Sequence, residues 1–194
     1  MGGSTLYNAG LGKDHFLEGH YAIQKETISD ACNWYCLYVK SRHEFVAAAE
    51  LKRKGIESFL PSAKRLRQWG DRRKIIEFPL FSGYVFVCIP PEPGAFMSSL
   101  KTRGVVTFIS LAKGNPTPVS PSEIYSLKAV IDSGREFEVF DHFKEGTRVI
   151  VRKGPLCGAE GIIQKKKDTY FFVVNIDILG RSVSVTISAD DIEA

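Results

Sequence analysis

The sequence predicts an α+β fold: an antiparallel sheet with helices packed on one side, followed by a small all-β barrel. Three observations carry that prediction. Strand and helix signals alternate in the order βαββαβα between residues 33 and 131, an order that suits an antiparallel sheet carrying its helices as a separate layer. Residues 132–144 then turn polar and acidic without a period, as a linker does. The chain from 145 to 194 reads as short strands between tight turns, and so short a stretch buries an interior only by curling into a barrel.

Residues 1–32 mix Gly, Ser, Asn and His with isolated apolar residues and read as a flexible tail. Trp34-Tyr35-Cys36-Leu37-Tyr38-Val39 is β-branched and aromatic, too short for a helix and apolar on both faces, as in a central strand. Ser41-Arg42-His43-Glu44 has the spacing of a capping box, opening a helix that ends at Gly55. Phe45, Ala48, Ala49 and Leu51 are its expected buried arc, with His43, Glu50 and Lys54 opposite. Ser58-Phe59-Leu60-Pro61 leads into a basic hairpin arm through Lys64, Arg65 and Arg67, around Gly70-Asp71-Arg72-Arg73-Lys74. The arm returns to Pro79–Ile89, the strongest strand signal in the chain. Pro90-Pro91-Glu92-Pro93-Gly94 starts a short helix through Phe96 and Leu100 that Gly104 stops, and Val105–Ile109 is another strand. Ser120-Pro121-Ser122-Glu123 has the form of a second capping box, with Ile124, Leu127 and Ile131 following at helical spacing. In the barrel the expected strands are 148–152, 161–165, 170–176 and 182–187.

Composition narrows the function classes. The 194 residues are 44% hydrophobic and 25% charged, which are globular values. No apolar run approaches the roughly 18 residues of a membrane helix. The first 32 residues lack the pattern of a secretory signal, so the expected address is the cytoplasm. There Cys32, Cys36, Cys88 and Cys157, with no CxxC pair, are expected as reduced apolar fillers rather than metal ligands. His15, His20, His43 and His142 are scattered, and HExxH, GxSxG and phosphate-loop patterns are absent, so neither an enzyme nor a cofactor is expected. Net charge by segment is −2 over 1–32, +8 over 33–130 and −2 over 131–194. The positive field therefore lies in the middle segment, where it suits a polyanion or an acidic protein face.

Trp34-Tyr35, Phe81-Ser82-Gly83-Tyr84-Val85-Phe86-Val87, Arg103-Gly104-Val105 with Phe108, and Pro118-Val119-Ser120 resemble the N-terminal (NGN) domain of the NusG family of transcription elongation factors. Gly146, Val149, Val151, Gly154-Pro155, Gly158 and Gly161-Ile162-Ile163 resemble its KOW pattern. The resemblance divides the chain into a tail (1–32), an NGN domain (33–131), a linker (132–144) and a KOW domain (145–194). Specialised antiterminators such as RfaH and UpxY are more similar than housekeeping members, so it implies an operon-specific factor. A housekeeping factor and a KOW-containing RNA- or ribosome-binding protein are the alternatives, although the net negative barrel segment does not suit bulk RNA.

The resemblance implies that the first domain binds the clamp helices of RNA polymerase and suppresses pausing. Phe81, Tyr84, Phe86 and Leu111 match the family's hydrophobic patch, and Phe96 and Met97, with Ala95, stand where a polar gate-contacting motif is found. Alternation places Val85 and Val87 on the opposite face from Tyr84 and Phe86 but does not choose which face is outside. Lys40, His43, Arg53 and Arg103 match or adjoin positions facing the non-template DNA strand, while Glu50 stands where a base is expected. Arg72 and Arg73 on the arm are further candidates for DNA or nascent RNA. Gly154, Pro155, Gly158 and Gly161 build turns rather than bind. The barrel's implied partner is Rho or a small-subunit ribosomal protein, and a monomer away from membranes is expected. The β-branched 149–151 and 183–187 favour a barrel over a helical form of this domain.

Overall fold

A computed structural model describes residues 32–69, 72–112, 114–142, 145–166 and 169–188, with the side chains of 65–69, 72–74 and 166 outside it. Residues 1–31 of the tail expected over 1–32 and the arm's turn at Gly70 and Asp71 lie outside the described residues, while Cys32 is half-buried against the core.

Strand β1 (Asn33–Val39) is central because its side chains are apolar on both faces. It pairs antiparallel with β5 (Tyr84–Ile89), whose other edge takes β2 (Glu57–Phe59). The free edge of β1 is shared by β6 (Val105–Phe108) and the short β7 (Pro118–Val119). The basic arm is a separate two-stranded ribbon, β3 (Ser62–Trp69) with β4 (Arg72–Pro79), in unbroken register from Ser62↔Pro79 to Trp69↔Arg72.

Period-2 alternation divides the sheet into two faces. Tyr35, Leu37, Val39, Val85, Val87 and Ile89 point one way, under α1 (Glu44–Arg53) and α2 (Pro93–Leu100). Trp34, Cys36, Phe86 and Cys88 point the other way and share a cluster with Ile124, Leu127 and Val130 of α3 (Pro121–Asp132). The helices are thus not on one side, as the element order had suggested. Both faces of the central strands are apolar, and each is buried against a helix.

Neither capping box forms. Arg42 takes a left-handed turn (φ 62°), which leaves His43 as the N-cap residue of α1 without a side-chain cap bond. The buried carboxylate of Glu44 instead accepts a hydrogen bond from the Gly83 N–H at 2.8 Å. Ser120 likewise lacks a side-chain cap bond to α3, and its hydroxyl is 2.9 Å from that of Ser122. The buried face of α1 is Glu44, Ala47 and Leu51, while Phe45 is turned out to 41% exposure. Of the expected arc, Leu51 is buried and Ala48 half-buried, whereas Phe45 and Ala49 face outward. Gly55 does close the helix, at φ 73°.

The second sheet runs in the order β8-β12-β11-β10-β9. Its strands are β8 (Phe137–Asp141), β9 (Thr147–Ile150), β10 (Glu160–Lys166), β11 (Thr169–Ile176) and β12 (Arg181–Ile187). Strand β8 lies inside the stretch expected to be a linker. Arg181↔Asp141 through Val185↔Phe137 tie it to β12, so backbone pairing makes a strand of a sequence whose composition reads as a connection. Phe172, Val174, Ile176, Val183, Val185 and Ile187 line the interior with Val151 and Leu156. Gly161 is required there by space: a Cβ on it would stand 2.5 Å from the Val173 carbonyl oxygen and 2.7 Å from the Phe172 ring.

Candidate functional site

The segment Phe81-Ser82-Gly83-Tyr84 is a tight turn leading into β5, closed by the Tyr84 N–H donating to the Phe81 carbonyl at 3.2 Å. Gly83 supplies the left-handed residue (φ 88°), and its carbonyl accepts the Val39 N–H at 2.8 Å. Two consequences follow. The Phe81 side chain turns into the core, and Tyr84, half-buried against the same cluster, lies at the end of the sheet beside Tyr38, its partner in the ladder. The two rings are 5.8 Å apart at a 57° tilt, and Tyr38 is 42% exposed. Tyr38 was not singled out from sequence, although it lies on the same face of β1 as Trp34 and Cys36.

The expected hydrophobic patch divides accordingly. Phe86 is fully buried, stacked on Phe59 at 6.3 Å and clustered with Ile124 and Leu127 of α3. Phe81 and Phe86 are therefore core residues, because α3 occupies the face on which they lie. Phe96 is also packed inward, edge-on to Tyr35 at 5.1 Å and Phe108 at 5.2 Å, while its neighbour Met97 is exposed. Leu111, in the loop after β6, is 72% exposed, and its N–H donates to Thr117 Oγ1 at 2.9 Å. Of the named positions Leu111 and Met97 are exposed and Tyr84 is half-buried, and Tyr38 adds a further exposed ring.

The cations divide too. The Lys40 N–H donates to the Gly104 carbonyl at 2.8 Å, and a Cβ on Gly104 would meet His43 Cβ at 2.8 Å. Lys40, His43 and Arg103 are thus gathered around one turn at the same end of the sheet as Tyr38. Lys40 and Arg103 are exposed there, and His43 Nδ1 lies 3.0 Å from the Ser41 carbonyl oxygen. Arg53 is at the far end of α1 and is ion-paired with Glu50, the acid that stands where a base was expected. Its neighbour Lys54 is committed to Ser98 O at 3.0 Å and Thr102 Oγ1 at 2.8 Å. Arg72 and Arg73 are on β4, with side chains outside the described residues.

A second polar set joins α3 to the barrel. Glu123 Oε2 accepts the Asp177 N–H at 3.2 Å, Ser126 Oγ accepts the Glu160 N–H at 2.8 Å, and Tyr125 Oη donates to the Cys157 carbonyl at 3.1 Å. Burial pushes the Glu123 carboxyl up to about 7, and the Asp177 charge adds to the shift; the Asp177 N–H bond and His142 oppose it. His142 itself pairs with Asp177 at 2.8 Å. None of these partners could be inferred from the sequence, since more than fifty residues separate Glu123 from Asp177. The KOW-type turn meets the same helix: Gly154 and Gly158 are both left-handed, and Tyr125 Oη would be 3.1 Å from a Cβ on Gly158. Pro155 is exposed in that turn. No group of three or more potential metal ligands occurs among the described residues.

Comparison with known proteins gives a consistent set of likenesses. The family described as "Transcription termination factor nusG" matches residues 32–128. The transcription termination/antitermination protein NusG of Borreliella burgdorferi is 29% identical over 135 residues, 63% of this chain and 71% of that protein. The protein of the same name from Bacillus subtilis is 25% identical over 175 residues, 83% of this chain and 97% of that one. Among solved structures, one titled "Domain interaction in Thermotoga maritima NusG" is 21% identical with a TM-score of 0.47, covering 84% of this chain and 96% of that one.

Proposed function

Since the chain belongs to the NusG family of transcription termination/antitermination factors, we propose that it is an operon-specific antiterminator that docks on RNA polymerase through the open end of its first sheet. NusG-family proteins are transcription factors rather than enzymes, and they interact with RNA polymerase. The observation that carries this reading is the exposed Tyr38 ring, paired with the half-buried Tyr84, beside Lys40, His43 and Arg103. Aromatic side chains with one free face are the usual anchors of a protein interface. Cations at the rim suit phosphate oxygens of a nearby nucleic-acid strand, here the non-template DNA or nascent RNA. Leu111, exposed in the loop after β6, and Met97, exposed on α2 over the other face of the sheet, are separate apolar candidates for contact with the polymerase. Phe81, Phe86 and Phe96 support it from within the core.

In this reading no bond is made or broken. Docking holds the polymerase in its elongating form and shortens pauses, while Arg103 and Lys40 keep a displaced strand at the rim. Arg53, paired with Glu50, contributes less, because a cation already neutralised releases little on meeting a phosphate. The barrel supplies the second attachment, to Rho or a small-subunit ribosomal protein, through a surface that includes the half-exposed Tyr170 and Phe171 of β11.

The test is capture of core RNA polymerase by the intact chain and by Tyr38→Ala/Tyr84→Ala. Capture by the variant should weaken by more than about 2 kcal/mol, roughly 30-fold, with its thermal midpoint kept as a control for folding. Undiminished capture by a folded variant would remove these rings from the interface and the proposal with them.

A further inference from the structure

The base of the basic arm and strand β8 border a groove of about 1050 Å³. Three aromatic side chains line it, Phe78 of β4, Phe137 of β8 and Phe171 of β11, each half-buried. Its rim is acidic, since Glu77, Asp132, Glu136 and Glu138 are all exposed there. Two cations share the lining, and both are engaged. Lys64 stands opposite Glu77 in the β3–β4 ladder, and Arg135 Nη1 donates to the Thr186 carbonyl at 3.1 Å. Asp132, Glu136 and Glu138 have no ion pair among the described residues. The groove is therefore negative over aromatic faces, in a chain whose residues 33–130 carry +8. From Arg67 onward the arm's cations stand three or more residues beyond Lys64, about 10 Å along the strand, which exceeds the screening length at physiological salt.

The backbone of β8 is open to the same groove. Residues 134 to 138 line it in succession, although neighbours on a strand point to opposite faces, so the groove follows the strand's edge. Strand β8 is outermost in its sheet, and the edge away from β12 has no ladder partner among the described residues.

We propose that this groove takes an extended, basic peptide of a partner protein, its backbone along β8 and its Arg or Lys side chains over the aromatic rings. The free edge offers main-chain hydrogen bonds to an added strand. The rings hold a cation by their faces, and Glu136, Glu138 and Asp132 receive its N–H groups. A nucleic acid is disfavoured by those same carboxylates. A second copy of this chain pairing through β8 would set acid against acid. The inference rests on the reading of the barrel as a second point of attachment, to which Phe171 belongs, and adds the chemistry of the occupant. Nothing at the Tyr38 end of the first sheet enters it.

The test uses the full chain and a fluorescein-labelled six-residue peptide of alternating Arg and Val. Its Glu-for-Arg counterpart and spermidine are the other arms. Anisotropy at about 0.15 M salt should show one-to-one binding of the Arg peptide, about tenfold or more tighter than the Glu peptide and weakened at about 0.5 M. In Glu136→Gln/Glu138→Gln, where both side chains are exposed and folding is spared, affinity should fall about tenfold. Amide shifts on titration of the wild type should centre on residues 136–139. Undiminished binding by the double variant, equal binding of the Glu peptide, or shifts that fall away from β8 would each overturn the inference. So would spermidine displacing the peptide at equal charge concentration, which would make the groove a site for small polycations. Polymerase, Rho and ribosomal protein are absent from the assay, so failure here leaves those attachments standing.

Discussion

Glu123→Gln separates the charge of this residue from its hydrogen bond. In the native protein the Glu123 carboxyl is pushed from its ordinary 4.5 up to about 7, by burial first and then by Asp177, with the Asp177 N–H and His142 pulling the other way. At pH 4 the folded and unfolded chains both hold the proton, and the group costs nothing. As pH rises from 4.5 the unfolded chain ionises first, so stability falls, and above about 7 the full cost is present. The shift corresponds to about 3.4 kcal/mol. The group is partly open to solvent, and screening reduces this to about 1–2 kcal/mol. Gln keeps an oxygen to accept the Asp177 N–H but cannot ionise. The variant should match the wild type at pH 4 and exceed it by about 1–2 kcal/mol at pH 8, a rise of roughly 2–8 °C in thermal midpoint. Urea midpoints of both proteins at the two pH values measure it. A variant with an unchanged pH slope, or one weaker than wild type at pH 8, would refute the assignment of this cost to Glu123.

Two further outcomes follow from packing. Gly161→Ala would drive a methyl to within 2.5 Å of the Val173 carbonyl, a backbone atom held in the β10–β11 ladder, and should cost about 3 kcal/mol; loss of the barrel's cooperative urea transition is the readout. Phe86→Ala removes a fully buried ring stacked on Phe59 and should cost about 3–5 kcal/mol by urea unfolding, and polymerase capture should fall only in step with the folded fraction.

Strands such as β1, β5, β6, β11 and β12 were readable because each is a short β-branched or aromatic run, and period 2 correctly placed Tyr84 and Phe86 opposite Val85 and Val87. Alternation does not say what covers a face, and Phe86 is core only because α3, some forty residues later, folds back over it. The capping boxes misled for a related reason. Glu44 and Glu123 have the local spacing of cap residues, yet each carboxylate is taken by a distant backbone N–H, that of Gly83 and of Asp177. Strand β8 was hidden by its composition: Glu138 and Asp141 lie within it, and its pairing with β12 could not be read locally. Among the cations, the gathering of Lys40, His43 and Arg103 depends on Gly104 allowing close approach, whereas the pairing of Arg53 with Glu50 is an ordinary neighbour contact on a helix.

The strand found in place of a linker shortens the leash. Only Ser133 to Glu136 separate the end of α3 from the start of β8, and four residues reach at most about 14 Å. A barrel that let go of Glu123, Tyr125 and Ser126 would still be held near them at an effective concentration on the order of millimolar. A rival for that barrel surface present at about a micromolar must then bind roughly a thousandfold more tightly than the helix does simply to draw level.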